Sequence, residues 1–315
     1  MAQPEVCVVG AANIDLISYL RRLPRMGETI HGTAFELGYG GKGANQAVMA
    51  AKLGARVFMV TKVGKDFFGE GTIENFQKFG IETRFVAATD QAFSGVAPIM
   101  VDADGNNSIV IVTGANDLLT DDEINEARPV MKEAGVVVCQ LEVPVEMTLK
   151  ALRAARAEGA TTILNPAPAS DNLPKELLQL SDVLCPNQGE AGILTGRSVE
   201  TRAEIESAAQ TLMSWGARSV VITLGEDGCL VTTADGVSHV PGTHVDPVDT
   251  TGAGDAFVGS LAYFLAAGQP LDVCAARANE IAAISVRGRG TQKSFPEREQ
   301  LPEPLRTATI EAAGC

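Results

Sequence analysis

The chain has 315 residues, 45% hydrophobic and 20% charged, a globular composition long enough for one large α/β unit. Lys and Arg total 25 against 39 Asp and Glu, a formal net charge of −14 with no basic run to offset it. That field disfavours nucleic acid and anionic membrane surfaces as partners, and every apolar run stops short of the roughly 20 residues that cross a bilayer.

In chain order, Glu5 to Val9 is apolar and rich in β-formers and stops at Gly10. It predicts a buried strand followed by a loop carrying Asn13 and Asp15. Ala44 to Leu53 predicts a helix ended by Gly54, and Arg56 to Thr61 a second strand, a βαβ start. From Val136 the alternation is regular: strand Val136 to Leu141, helix Val145 to Glu158, strand Thr161 to Leu164, a short helix near Leu177, and strand Val183 to Cys185. A helix opened by a Thr201/Glu204 capping box and a strand Val220 to Leu224 complete it. The class this predicts is α/β, a doubly wound, mostly parallel sheet with helices on both faces.

Two stretches break the pattern. Gly27 to Tyr39 and Ser94 to Val112 read as β segments without helices, the second folded at the turn cluster Asp102 to Asn107. They predict a small β lid, built from about 17–43 and 92–113, on a single domain spanning 1–315. The six cysteines (Cys7, Cys139, Cys185, Cys229, Cys274, Cys315) form no C-x-x-C pair, and the three histidines no ligand spacing. Met1-Ala2-Gln3-Pro4 runs straight into a strand without a leader, which makes a cytoplasmic address the default expectation.

The most informative stretch is Asp249-Thr250-Thr251-Gly252-Ala253-Gly254-Asp255, because an apolar helix pattern, Ala256 to Ala267, follows it and Gly268 closes it. Glycines at a helix N-terminus let backbone amides approach an anion, and Asp255 beside them could take a proton from a hydroxyl. The blander alternative is that Asp255 only caps the helix. Gly38-Tyr39-Gly40-Gly41-Lys42-Gly43-Ala44-Asn45 sets one ammonium and one amide among four glycines at a helix start. It lacks the Walker A order, which leaves a polyhydroxylated ligand or a plain Gly-rich turn. Asn13, Asp15 and Glu142 each follow a predicted strand at its carboxyl end, where open α/β sheets bind ligands. Alone, each also fits an Asx turn or a solvated loop charge. Asn187 and Glu190 could reach a hydrated magnesium or merely form a capping box, and Thr223 to Gly228 runs from a strand end into a Gly turn.

Taken together and in this order, these motifs resemble those of the ribokinase family of carbohydrate kinases over nearly the whole chain. The two matching signatures are Gly40-Gly41-Lys42-Gly43-Ala44-Asn45-Gln46-Ala47 and Asp249 to Asp255. The Lys and Asn of the first are more similar to the ribose-phosphorylating members than to fructose or adenosine kinases. The resemblance implies phosphoryl transfer from ATP to the 5-hydroxyl of D-ribose, with Asp255 as catalytic base and Gly252, Ala253 and Gly254 as anion hole. It implies Asn13, Asp15, Gly41, Lys42, Gly43, Asn45 and Glu142 at the sugar. Asn187, Thr223, Leu224, Gly225, Glu226, Asp227, Gly228, Gly254 and Asn279 would serve ATP, with Glu190 placing Mg2+ indirectly. It further implies a K+ site of Asp249, Thr251, Ser285, Gly288, Gly290 and Ser294, and a homodimer paired through the β lids. A deoxyribokinase or another pentose or nucleoside kinase is the near alternative, and a non-catalytic sugar-binding regulator the far one. A nicotinamide-dependent dehydrogenase is disfavoured, since Gly10-Ala11-Ala12-Asn13 is not G-x-G-x-x-G.

Overall fold

A computed structural model describes residues 3–307. Cys315 and the first two residues lie outside them. Thirteen strands are found among the described residues. They are β1 (Glu5–Val9), β2 (Asn13–Tyr19), β3 (Ala34–Gly40), β4 (Arg56–Gly64), β5 (Glu82–Thr89), β6 (Gly95–Val101) and β7 (Asn107–Ile109). The rest are β8 (Val136–Cys139), β9 (Thr161–Leu164), β10 (Val183–Leu184), β11 (Val220–Thr223), β12 (Cys229–Thr233) and β13 (Gly236–Val240). The helices are α1 (Lys42–Lys52), α2 (Phe67–Lys78), α3 (Asp121–Glu126), α4 (Arg128–Ala134), α5 (Val145–Ala157), α6 (Lys175–Gln179), α7 (Gln188–Thr195), α8 (Arg202–Ser214), α9 (Ala253–Ala266), α10 (Leu271–Ser285) and α11 (Glu303–Arg306).

Nine strands form one sheet in the order β13-β12-β11-β10-β9-β8-β1-β4-β5. It is parallel from β5 to β11, and an antiparallel β12–β13 hairpin closes one edge. The expected doubly wound architecture is therefore present. Its strands are buried on both faces: Val6 and Val8 pack into one core with α1, α9 and α10, whereas Cys7 and Val9 pack into the other with α4, α5 and α8. The chain leaves β1 for β4 on one side and later returns to β8 on the other. The carboxyl ends of β1 and β8 therefore flank a topological switch point, the crevice where such sheets bind ligands.

Above it stands a second sheet, β3-β2-β6-β7. Two expectations are corrected here. Asn13 and Asp15 lie not on a loop but on β2, paired with Gly40 and Gly38 of β3, because only Gly10 to Ala12 separate β1 from the new strand. Of Gly27 to Tyr39, only the part from Ala34 is strand. The hairpin expected around Asp102 does form, its turn tied by the Asp102 carboxylate accepting the Asp104 and Asn106 N–H groups.

Candidate active site

Two helix N-termini converge on the switch point. α1 starts at Gly41, whose φ of 86° and crowded position admit no side chain: a Cβ there would lie 2.8 Å from Ala11 O and Asn13 N. α9 starts at Gly252, also left-handed with φ 81°. The helices cross at Gly259, where a Cβ would lie 2.6 Å from Gln46 O and 2.8 Å from Met49 Cβ. Glycine inside a helix costs about 1 kcal/mol against alanine, and here it brings Asn45 and Gln46 of α1 within reach of Asp255 on α9.

Asp255 is buried and does not cap its helix. Its Oδ2 accepts from Asn45 Nδ2 at 2.9 Å, and its Oδ1 accepts from Gln46 Nε2 at 3.0 Å. The capping alternative therefore falls. Of the first N–H groups of α9, that of Ala253 donates to Thr250 O at 3.2 Å. Those of Gly254 and Asp255 have no such partner among the described residues. A Cβ on Gly254 would meet nothing within 4 Å, so packing does not demand glycine at this point. Gly254 and Asp255 line a cavity of about 170 Å³ together with Lys42, Asn165, Cys185, Asn187, Glu190, Thr223, Gly252 and Val258.

Around Asp255 stand further carboxylates. Asp15 lies against Gly40, where a Cβ would come within 2.5 Å of both of its oxygens. Burial, reinforced by the charges of Glu142 and Asp255, pushes its carboxyl up to about 7. Glu142 is half-buried rather than a solvated loop charge: its Oε2 accepts the Lys42 N–H at 2.8 Å, and burial raises its carboxyl despite that bond. Asp255, Glu142 and Glu190 together raise the Lys42 ammonium above its ordinary value against the opposing pull of burial. The cleft thus combines acceptor-rich walls, suited to hydroxyl donors, with one ammonium and helix N–H groups suited to an anion.

Asn187 and Glu190 form the capping box of α7, with both reciprocal bonds at 2.8 Å, and also line the cavity beside Thr223. Leu224, Gly225, Glu226, Asp227 and Gly228 continue from Thr223 into a tight turn. Asn279 sits apart, its amide directed at Val240 O and Cys229 Sγ. Asp249 accepts the Thr251 and Gly290 N–H groups at 2.9 Å each. Gly288 and Ser294 are in close contact, and the Gly288 N–H reaches Ser285 O, which gathers the six residues expected around a monovalent cation into one region.

Sequence reasoning missed Asn116. Fully buried, it accepts the Ala12 N–H and donates to Asn13 Oδ1, which fixes the start of β2 and leaves Asn13 its NH2 group as donor. It also gave no role to Gln46, Asn165, Gln140 or Gln292, which are linked to Asp255 directly or through one further side-chain amide. Gln140 carried a signal, as the one polar residue in an otherwise apolar strand end.

This architecture and site are those of a sugar-phosphorylating α/β enzyme, and the comparisons agree. Residues 3–298 match the model of the pfkB family carbohydrate kinases. A ribokinase of Mus musculus is 46% identical over 304 residues, covering 95% of this chain and 94% of its own. A deoxyribokinase of Salmonella typhi is 42% identical over 301 residues, covering 96% and 98%. Among solved structures, the Arabidopsis thaliana ribokinase complexed with ribose and ATP superposes with a TM-score of 0.88 at 31% identity, over 95% of this chain and 97% of the other. The chain belongs to the pfkB family of carbohydrate kinases.

Proposed function

We propose that this enzyme transfers the γ-phosphoryl group of ATP to the 5-hydroxyl of D-ribose, giving D-ribose 5-phosphate and ADP. The observation that carries the reading is Asp255: buried, held by two amides, beside Lys42 and at the head of a helix whose Gly254 and Asp255 N–H groups have no backbone partner among the described residues. In the loose transition state of phosphoryl transfer the hydroxyl proton leaves late, so a carboxylate suffices as base while the N–H groups stabilise charge on the phosphoryl oxygens. Asn13, Asp15, Gly41, Lys42, Gly43, Asn45 and Glu142 would hold the sugar. Asn187, the Thr223 to Gly228 turn and Asn279 would hold the nucleotide.

Both implied cations suit the donors present, which are hard oxygens. Glu190 spends one oxygen on its cap, so the other is available to a water of a hydrated magnesium. Asp249 with neighbouring carbonyls would hold potassium, and a cation there would steady the turn that leads into α9. The four-stranded sheet would act as the lid of a single domain. Its exposed Phe35 (62%) and Val110 (54%), with Ile109 and Ile111, give it an apolar surface on which we place the homodimer contact. Sedimentation equilibrium checks this: the native chain should run as a dimer and Phe35→Asp with Ile109→Asp as a monomer, whereas a monomeric native chain would refute it.

The test of the activity is ADP release from MgATP with ribose, 2-deoxyribose, fructose or adenosine, each in potassium or in sodium alone. The expected result is ribose-dependent turnover raised by potassium. Preference for 2-deoxyribose is the specific competing reading, given the Salmonella relative. No turnover on any member would overturn the kinase assignment. Turnover of ribose to the same extent in sodium would remove the potassium site alone.

A further inference from the structure

We propose that Gln46 is a positioning residue for Asp255, the inner member of a chain of buried side-chain amides that aims the carboxylate at the sugar hydroxyl. The inference rests on Asp255 being the base.

Two amide chains end on the two oxygens of Asp255. In one, Gln140 Nε2 donates to Gln46 Oε1 at 2.6 Å. Gln46 Nε2 then donates to Asp255 Oδ1 at 3.0 Å and to Asn165 Oδ1 at 3.1 Å, and Asn165 Nδ2 continues to Cys185 O. In the other, Asn75 Nδ2 donates to Gln292 Oε1 at 2.9 Å, Gln292 Nε2 to Asn45 Oδ1 at 3.0 Å, and Asn45 Nδ2 to Asp255 Oδ2. An ionised carboxylate only accepts, so each amide touching it must present its NH2 group. That choice passes back along each chain, donor to acceptor, without a reversal. Gln46 uses its acceptor and both donors in this way and is fully buried. Each Asp255 oxygen keeps lone-pair capacity for a hydroxyl entering from the cavity, and the plane of the carboxylate is fixed from behind.

A packing role alone does not explain Gln140. Its Oε1 is buried and has no hydrogen-bond partner among the described residues, a costly condition that an apolar side chain would avoid. Room for it is made by Gly10, where a Cβ would lie 1.9 Å from that oxygen. The strand end thus keeps an orphaned acceptor and a glycine so that an NH2 group faces Gln46.

Gln46→Met keeps length and volume while removing the polar atoms. Its kcat should fall about tenfold or more, because small misplacement of a reacting group is expensive, with KM for the sugar changed much less. In an Asp255→Asn background the same change should add little, the non-additivity of residues that act as a unit. An equal loss in both backgrounds, an unchanged kcat, or a KM that rises as much as kcat falls overturns the proposal. Should Gln46→Met not fold, Gln292→Met on the other chain is read by the same cycle, and failure of both to fold assigns the amides to the fold and overturns it too. Near-normal turnover of Asp255→Asn by itself would instead remove the base on which the inference rests, a separate outcome.

Discussion

Replacing Asp255 with asparagine is expected to lower kcat by at least about a hundredfold, the lower range of general acid–base effects, while ribose still binds. Single-turnover phosphoryl transfer reads the first quantity and calorimetric titration of the sugar the second. The variant is nearly isosteric, so the cavity keeps its shape, but it cannot take the hydroxyl proton at neutral pH. It also turns an acceptor into a donor. Asn45 and Gln46 both present NH2 groups to the two oxygens, so one donor would face another and one amide chain would have to reverse. Loss of sugar binding equal to the loss of turnover would mean that Asp255 binds rather than reacts. Near-normal turnover would remove it from the chemistry and return the helix head to an anion site alone.

How much of this was legible in the sequence depends on how local the cause is. β1 and β9 were readable to the residue because buried parallel strands are short apolar runs. The head of α9 was readable because two glycines before an apolar helix have few other uses. The start of β2 was read as a loop because its polar residues, Asn13 and Asp15, occupy positions where a strand of the lid would otherwise carry apolar side chains. The local rule fails there because those positions face the crevice, and such failures gather at functional sites. Asn116 and Gln292 lie 103 and 247 residues from the asparagines they hold. Their roles arise only when the chain closes, and nothing near them in sequence announces it.

Asp15 is where ligand binding and stability should part most clearly. Burial and the neighbouring charges of Glu142 and Asp255 raise its carboxyl from 3.8 to about 7 in the folded protein. The folded state therefore holds the Asp15 proton more tightly than the unfolded chain does, and this contribution to stability is present below about pH 4 and is lost as pH rises through about 7. Asp15→Asn carries no charge to bury, so its Tm should exceed that of the native protein at pH 8 and the gap should narrow below pH 7 and close near pH 4. A lower Tm at pH 8 would contradict the sign. Function should move the other way. The ionised carboxylate can accept two sugar hydroxyls, and loss of such charge-assisted bonds costs about 1.5–3 kcal/mol each, roughly ten- to a hundredfold in affinity. In the native enzyme the KM for ribose should rise as pH falls from 8 to 6, because protonation removes one acceptor, and the Asp15→Asn variant should lose that dependence. A native KM flat across this range would mean that the sugar is held without the Asp15 charge, and selection between ribose and 2-deoxyribose would then have to come from Asn13, Lys42 and Glu142. A KM that follows the titration ties recognition to the same buried charge that weakens the fold, which explains why an acidic group is kept beside two others in a cleft with one ammonium.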